Sequence, residues 1–160
     1  VKNKTLQTIL IFFVFGVISS FLSLIIMILL PQKIASNESI FSISFLALLE
    51  EVVKFSLLYF ILSTHSLNAF RKSSRLFLFP VFLGLGFGFF ELSLVLFGGT
   101  NFPLEMKAFF PMIIHITSAI LLTFAINILN KHVSRVYALM FFLLAVFIHI
   151  CYNVTIVKII

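Results

Sequence analysis

Six ionisable side chains stand inside long apolar runs of this chain: Glu50, Glu51, Lys54, Glu91, His115 and His149, with Ser118 and Asn153 beside them. On insertion scales each such group costs about 2.5–3.5 kcal/mol within a bilayer, so it marks a functional site by default. Carboxylates and imidazoles together can activate water. A carboxylate takes the proton, an imidazole shares that role or donates to a developing oxyanion, and an asparagine amide can donate there too. Lys54 supplies a countercharge, Glu91 a further carboxylate and Ser118 a hydroxyl. The reaction that fits this set is hydrolysis of a peptide bond by directly activated water.

Competing chemistries have weaker marks. A serine nucleophile needs a paired base, and the only pairing in view is Ser118 three residues after His115. The single cysteine, Cys151, lies in an apolar run and reads as a small buried hydrophobe. Zinc hydrolases commonly carry HExxH, which is absent. A metal held by two histidines and a glutamate is the less favoured alternative, so no cofactor is expected. His65 and His132 fall in expected loops, where solvated roles suffice, and Glu38, Glu105 and Lys107 read as loop charges.

Helical geometry groups the polar residues. At 100° per residue, Ser44, Ala47, Glu50, Glu51 and Lys54 share an arc of about 120°. Glu50 and Lys54 stand at i,i+4 with the acid first, the better order for a helical ion pair, and Glu51 and Lys54 at i,i+3. Glu91 shares a face with Gly84, Phe87 and Gly88, where small residues admit a neighbouring backbone. His115 aligns with Ala108, Pro111, Ser118 and Ala119, and Pro111 is placed to kink that helix. His149 aligns with Ala145, Tyr152 and Asn153. At ~1.5 Å per residue, Glu50 and Glu51 lie ~15 Å, Glu91 ~9 Å, His115 ~10 Å and His149 ~13 Å from one common membrane face. That agreement across antiparallel helices implies one shared polar site in the outer half of the bilayer. The inner halves are nearly all apolar, which counts against an ion- or proton-coupled transporter.

Positioning these groups requires five helices. Apolar runs at about 6–30, 40–64, 76–97, 108–130 and 134–158 each reach the ~20 residues that cross ~30 Å of hydrocarbon. The first run exceeds the roughly 7–15 residues of a signal-peptide core and reads as a transmembrane helix. The expectation is an all-α polytopic transmembrane bundle forming a single domain over residues 1–160. Composition agrees: 62% of residues are hydrophobic and only 10% charged, where a soluble domain has about a quarter charged. The net charge of +6 comes from residues at the ends of apolar runs, which is the positive-inside pattern and argues against a nucleic-acid surface. Lys2 and Lys4, then Arg71, Lys72 and Arg75, then Lys131 and Arg135 place the N-terminus and the second and fourth loops in the cytoplasm. The first loop carries only Lys33 and the third only Lys107.

The ordered motifs resemble a known family. Glu50-Glu51-Val52-Val53-Lys54 resembles the EExxK signature of the PrsW family of intramembrane proteases. The segment from Gly84 to Glu91 resembles its FxxxE motif, and His115 with the His149-x-x-x-Asn153 unit resembles its later histidine motifs. The likeness spans helices two to five. It departs at His115, where Ser118 stands three residues on and Ala119 four. Membership would place the chain in the wider group with CAAX prenyl endopeptidases and Abi immunity proteins, all-helical membrane proteins. It implies a glutamic-type endopeptidase with one of Glu50 and Glu51 as base, Glu50 being favoured. His115 would assist, His149 and Asn153 would face the oxyanion, and Lys54, Glu91 and Ser118 would support. The implied partner is a membrane protein substrate, such as a single-pass anti-sigma-factor-like protein, in a bacterial cytoplasmic membrane. The alternative is a non-catalytic scaffold or immunity protein of the same fold.

Overall fold

The computed structural model describes residues 2–31, 39–64, 73–97, 104–131 and 134–159. Five helices account for them: α1 (Lys2–Leu29), α2 (Ile40–Thr64), α3 (Ser73–Phe97), α4 (Leu104–Asn130) and α5 (Arg135–Ile159). The chain is all-α, with no strand among the described residues. Four helices are long and apolar enough to cross a membrane, over Thr5–Leu29, Leu78–Phe97, Phe109–Asn130 and Arg135–Ile156. α2 matches α3 in length, 25 residues, but carries Glu50, Glu51 and Lys54 at its middle. Its outward positions Phe41, Val52 and Phe60 are as exposed and apolar as those of its neighbours. The protein is an integral membrane protein.

The runs read from composition fall within these helices to one residue, and three helices begin earlier than hydropathy implies. Arg75, Glu105 and Lys107, expected in loops, lie in the first turns of α3 and α4, and Arg135 opens α5. A helix closes its own backbone hydrogen bonds, so it can continue past the hydrocarbon into the headgroup zone, where charges cost little. α4 continues unbroken through Pro111. Lys33, Glu38, His65, Arg71, Lys72 and His132 lie outside the described residues.

Around the bundle α1 packs on α3, α3 on α4, α4 on α5, α5 on α2, and α2 back on α1, while α2 also reaches α4. α1 and α3 run parallel, since Phe12 stacks on Phe79 and Phe21 meets Phe90. α4 and α5 run antiparallel, with Phe124 against Phe141 and His115 against His149.

Lipid tails are as apolar as leucine, so close backbone approach rather than the hydrophobic effect must hold such helices together. The sequence Gly84-x-Gly86-x-Gly88 supplies it on two faces of α3. A Cβ on Gly84 would sit 2.5 Å from Ile116 Cα and 2.6 Å from the His115 carbonyl oxygen, and one on Gly88 2.9 Å from Met112 Cγ. On the opposite face a Cβ on Gly86 would strike the Phe13 carbonyl oxygen, and one on Gly16 that of Leu83. α3 is thus clamped between α1 and α4 at backbone contact. Gly86→Ala is expected to destabilise the bundle by about 1–3 kcal/mol, because overpacking against a rigid backbone outweighs the up to ~1 kcal/mol that alanine gains in helix propensity. Denaturant titration of the purified protein in detergent checks this. Gly88→Ala should cost less, since the nearest atom it meets belongs to a flexible methionine.

The interior divides along the membrane normal. Phe12, Leu58, Ile61, Leu62, Phe79, Leu83, Leu122 and Ile126 form a buried apolar cluster in the half of the bundle that holds the N-terminal end of α1. The buried ionisable groups all lie beyond it, toward the other end.

Candidate functional site

Four helices bring the polar residues together. α2 contributes Glu50, Glu51 and Lys54, α3 Glu91, α4 His115 and Ser118, and α5 His149. Lys54, Glu51, His115, Ser118 and His149 are buried at 2% exposure or less, and Glu50 at 8%. Buried charges persist only when paired and hydrogen-bonded, and the geometry shows how this set meets that demand.

Lys54 is its centre. Its Nζ donates to Glu51 Oε1 at 2.5 Å and to Ser118 Oγ at 3.1 Å, and lies 3.0 Å from His115 Nδ1. An ammonium has three donors and no acceptor, so all three donors are used and His115 Nδ1 must accept. The proton of a neutral His115 therefore sits on Nε2, which donates to Glu91 Oε2 at 2.6 Å. Ser118 Oγ passes its own proton to the His115 carbonyl oxygen at 3.2 Å. Phe87 caps the knot: its ring lies 4.3 Å from Lys54 Nζ and 4.3 Å from the His115 ring, a cation–π contact on an otherwise enclosed ammonium.

The second half of the site has the opposite tautomer. His149 Nδ1 lies 2.6 Å from Glu51 Oε1. That oxygen, already paired with Lys54, belongs to a carboxylate and can only accept, so Nδ1 carries the proton. His149 Nε2 then presents a lone pair toward Glu50 Oε2, 3.5 Å away. Glu50 Oε2 and Glu51 Oε2 are buried without a hydrogen-bond partner among the described residues. Unsatisfied buried oxygens are rare in folded proteins and call for a role.

The structure thus separates two adjacent glutamates that the sequence left interchangeable. Glu51 is fixed by Lys54 and orients His149. Glu50 holds no short hydrogen bond and faces the open nitrogen of that ring. The ion pair forms at i,i+3 through Glu51, rather than at the i,i+4 spacing of Glu50, and the other two partners of Lys54 stand on α4. Ser118 Oγ bonds the His115 backbone and not its ring, so it is not paired with a base. Glu91, whose role the sequence left open, holds His115; its side chain is 31% exposed and forms the open edge of the site. Asn153, one turn beyond His149, is part-buried and stands outside the hydrogen-bonded chain. The sequence places Phe87 on the face of Glu91, one turn before it, but gives no sign that its ring meets Lys54 and His115.

Glu50, His115 and His149 each offer one potential metal-ligating atom within 4.8 Å of the others. As hydrogen-bonded, however, His115 spends its Nδ1 lone pair on Lys54 and its Nε2 proton on Glu91. Glu50 and His149 alone have electron pairs to give, and an ammonium stands beside them. The donor set suits water and proton movement better than a dication.

Fold and site together define a polytopic helical membrane protein with a buried carboxylate–imidazole centre. No family model, no curated protein and no solved structure matches the chain.

Proposed function

We propose that this protein is an intramembrane endopeptidase of the glutamic type, the activity that its resemblance to the PrsW family implies. The observation that carries the reading is Glu50: a carboxylate oxygen buried without a partner, 3.5 Å from His149 Nε2 in a bundle that spans the membrane. Glu51 Oε2 is unsatisfied too, but that carboxylate is held through Oε1 by Lys54 and His149, whereas Glu50 has no short hydrogen bond and stands beside an oriented imidazole, as the base of a hydrolase must. A water placed against Glu50 Oε2 and His149 Nε2 loses a proton to Glu50 as its oxygen bonds to the scissile carbonyl carbon. Glu50 then returns that proton to the leaving amine. The amide of Asn153 donates to the oxyanion, and Glu51 and Lys54 hold the histidines in place. The exposed edge at Glu91 admits the substrate, a single-pass protein such as an anti-sigma-factor-like one, cut near the extracytoplasmic face. The N-terminus lies in the cytoplasm of a bacterial cell.

One observation favours a second reading, a scaffold or immunity protein without catalysis. Lys54 ties α2 to α4 with every donor used, and Glu51 ties α2 to α5, as a purely structural clasp would. Mass spectrometry of membranes expressing wild type or Glu50→Gln at matched level separates the two. Fragments of single-pass proteins that appear with wild type and vanish with the folded variant support the protease. Identical fragment patterns would sink it in favour of the scaffold.

A further inference from the structure

Far from the polar centre, where α4 ends and α5 begins, the protein has a cavity of about 530 Å³ lined by Tyr59, Ile128, Leu129, Asn130, Ser134 and Arg135. A second hollow of about 320 Å³ adjoins it and shares Leu129 and Arg135. This one runs between α2 and α5 and is walled by Val52, Phe55, Ala138, Leu139 and Phe142. One hollow is rich in hydrogen-bonding side chains and sits at the helix ends. The other is apolar and follows the helices into the hydrocarbon for ~10 Å, the rise of seven residues. A guanidinium stands where they join.

Among the described residues the charge there has no carboxylate partner. Asp and Glu number five in the whole chain, and none follows Glu105. Three of the five, Glu50, Glu51 and Glu91, are bound into the polar centre, Glu105 lies at the opposite end of α4, and Glu38 falls outside the described residues. Arg135 and Lys131 are both exposed, and no described carboxylate pairs with either. Arg135 is thus a cation without a described counterion at the mouth of an apolar groove, an arrangement that suits an anion carrying an apolar tail.

We infer that this paired cavity and groove is a binding site for one anionic glycerophospholipid. Its phosphate sits in the polar cavity against Arg135, within reach of the Tyr59 and Ser134 hydroxyls and the Asn130 amide, and one acyl chain lies in the groove between α2 and α5. A guanidinium matches phosphate oxygens with two parallel donors, and basic pockets between transmembrane helices take up anionic headgroups in this way. Tyr59 and Phe55, stacked 6.4 Å apart on α2, form a flat wall along the chain's path. The inference does not depend on the proposed activity.

Native mass spectrometry tests it. Wild type, Arg135→Gln and Leu139→Trp are released from bilayers holding equal amounts of phosphatidylglycerol and phosphatidylcholine with the same acyl chains, and the retained lipid is counted. Wild type is expected to keep one phosphatidylglycerol at about fivefold preference, the effect of one cation near a headgroup. Arg135→Gln should lose the preference while keeping its helicity, and Leu139→Trp, which fills the groove, should lose the lipid. Equal retention of the two lipids by wild type, or an unchanged preference in Arg135→Gln, would overturn the site. So would a lipid-free dimer, which would seat a second copy on the groove, or inorganic phosphate alone displacing the bound lipid completely, which would leave the groove without a part.

Discussion

Lys54→Met is expected to be the most damaging single substitution in the bundle, costing about 3–5 kcal/mol, the range for removing one partner of a buried ion pair. Methionine approximates the length of the lysine stem, so little volume is lost. What is lost is every donor that Glu51 Oε1, His115 Nδ1 and Ser118 Oγ share. Glu51 would be left as a buried charge with only the Nδ1–H of His149, and His115 would be free to move its proton to the other nitrogen. Denaturant titration in detergent, followed by far-ultraviolet circular dichroism, reads the cost. The double variant Lys54→Met/Glu51→Gln should be less destabilised than the sum of its singles, with a coupling of about 0.5–3 kcal/mol, because the second change removes the charge that the first had stranded. Strict additivity would show that the pair carries no mutual stabilisation and that the short distances are only packing.

That ammonium also marks the boundary of what the sequence could disclose. The helices were legible because five apolar runs of membrane length leave little choice of architecture. The site residues were legible because ionisable groups in such runs are costly and therefore rare, so Glu50, Glu51, Lys54, Glu91, His115 and His149 announce themselves without any structure. The face of Gly84 and Gly88 was legible from spacing alone, and it does meet α4. Gly86 was not, since it lies about 200° from Gly84 and its partner Gly16 stands seventy residues earlier, with nothing local to connect them. The buried serines of α1 were equally silent. Ser19 and Ser23 satisfy their hydroxyls on carbonyls of their own helix, at 3.0 and 2.9 Å, so they behave as small apolar residues.

The assignment of roles within the site was the least legible part. Glu50 and Glu51 are neighbours differing by 100° around one helix, and both can reach Lys54 by spacing. Only the placement of α4 and α5 decides that Glu51 meets Lys54 and His149 while Glu50 is left with no short hydrogen bond. The same holds for the tautomers. Nothing in the sequence distinguishes His115 from His149, yet the donors of Lys54 force the proton of one onto Nε2 and the carboxylate of Glu51 draws the proton of the other onto Nδ1.

This division gives the site its sharpest expected result. On the proposed endopeptidase reading, Glu50→Gln should lower peptide-bond cleavage by about 10²–10⁴-fold, the usual contribution of a general base, while changing stability little, because Glu50 gives up no short hydrogen bond. Glu51→Gln should lower both turnover and stability. A glutamine still accepts from His149 Nδ1 but strands the Lys54 ammonium, and a buried charge without its counterion costs several kcal/mol. The two variants are nearly isosteric with wild type and differ by a single position, so membrane insertion and helix propensity cancel between them. Once a cleaved protein is known from the membrane fragments, initial rates of its hydrolysis and the denaturation midpoint are measured on each variant in the same detergent. A folded and inactive Glu50→Gln beside a destabilised Glu51→Gln assigns the base to Glu50 and the scaffold role to Glu51. If Glu51→Gln instead keeps its stability and alone loses activity, the carboxylate paired with Lys54 is the base, and the unpartnered oxygen of Glu50 needs another explanation.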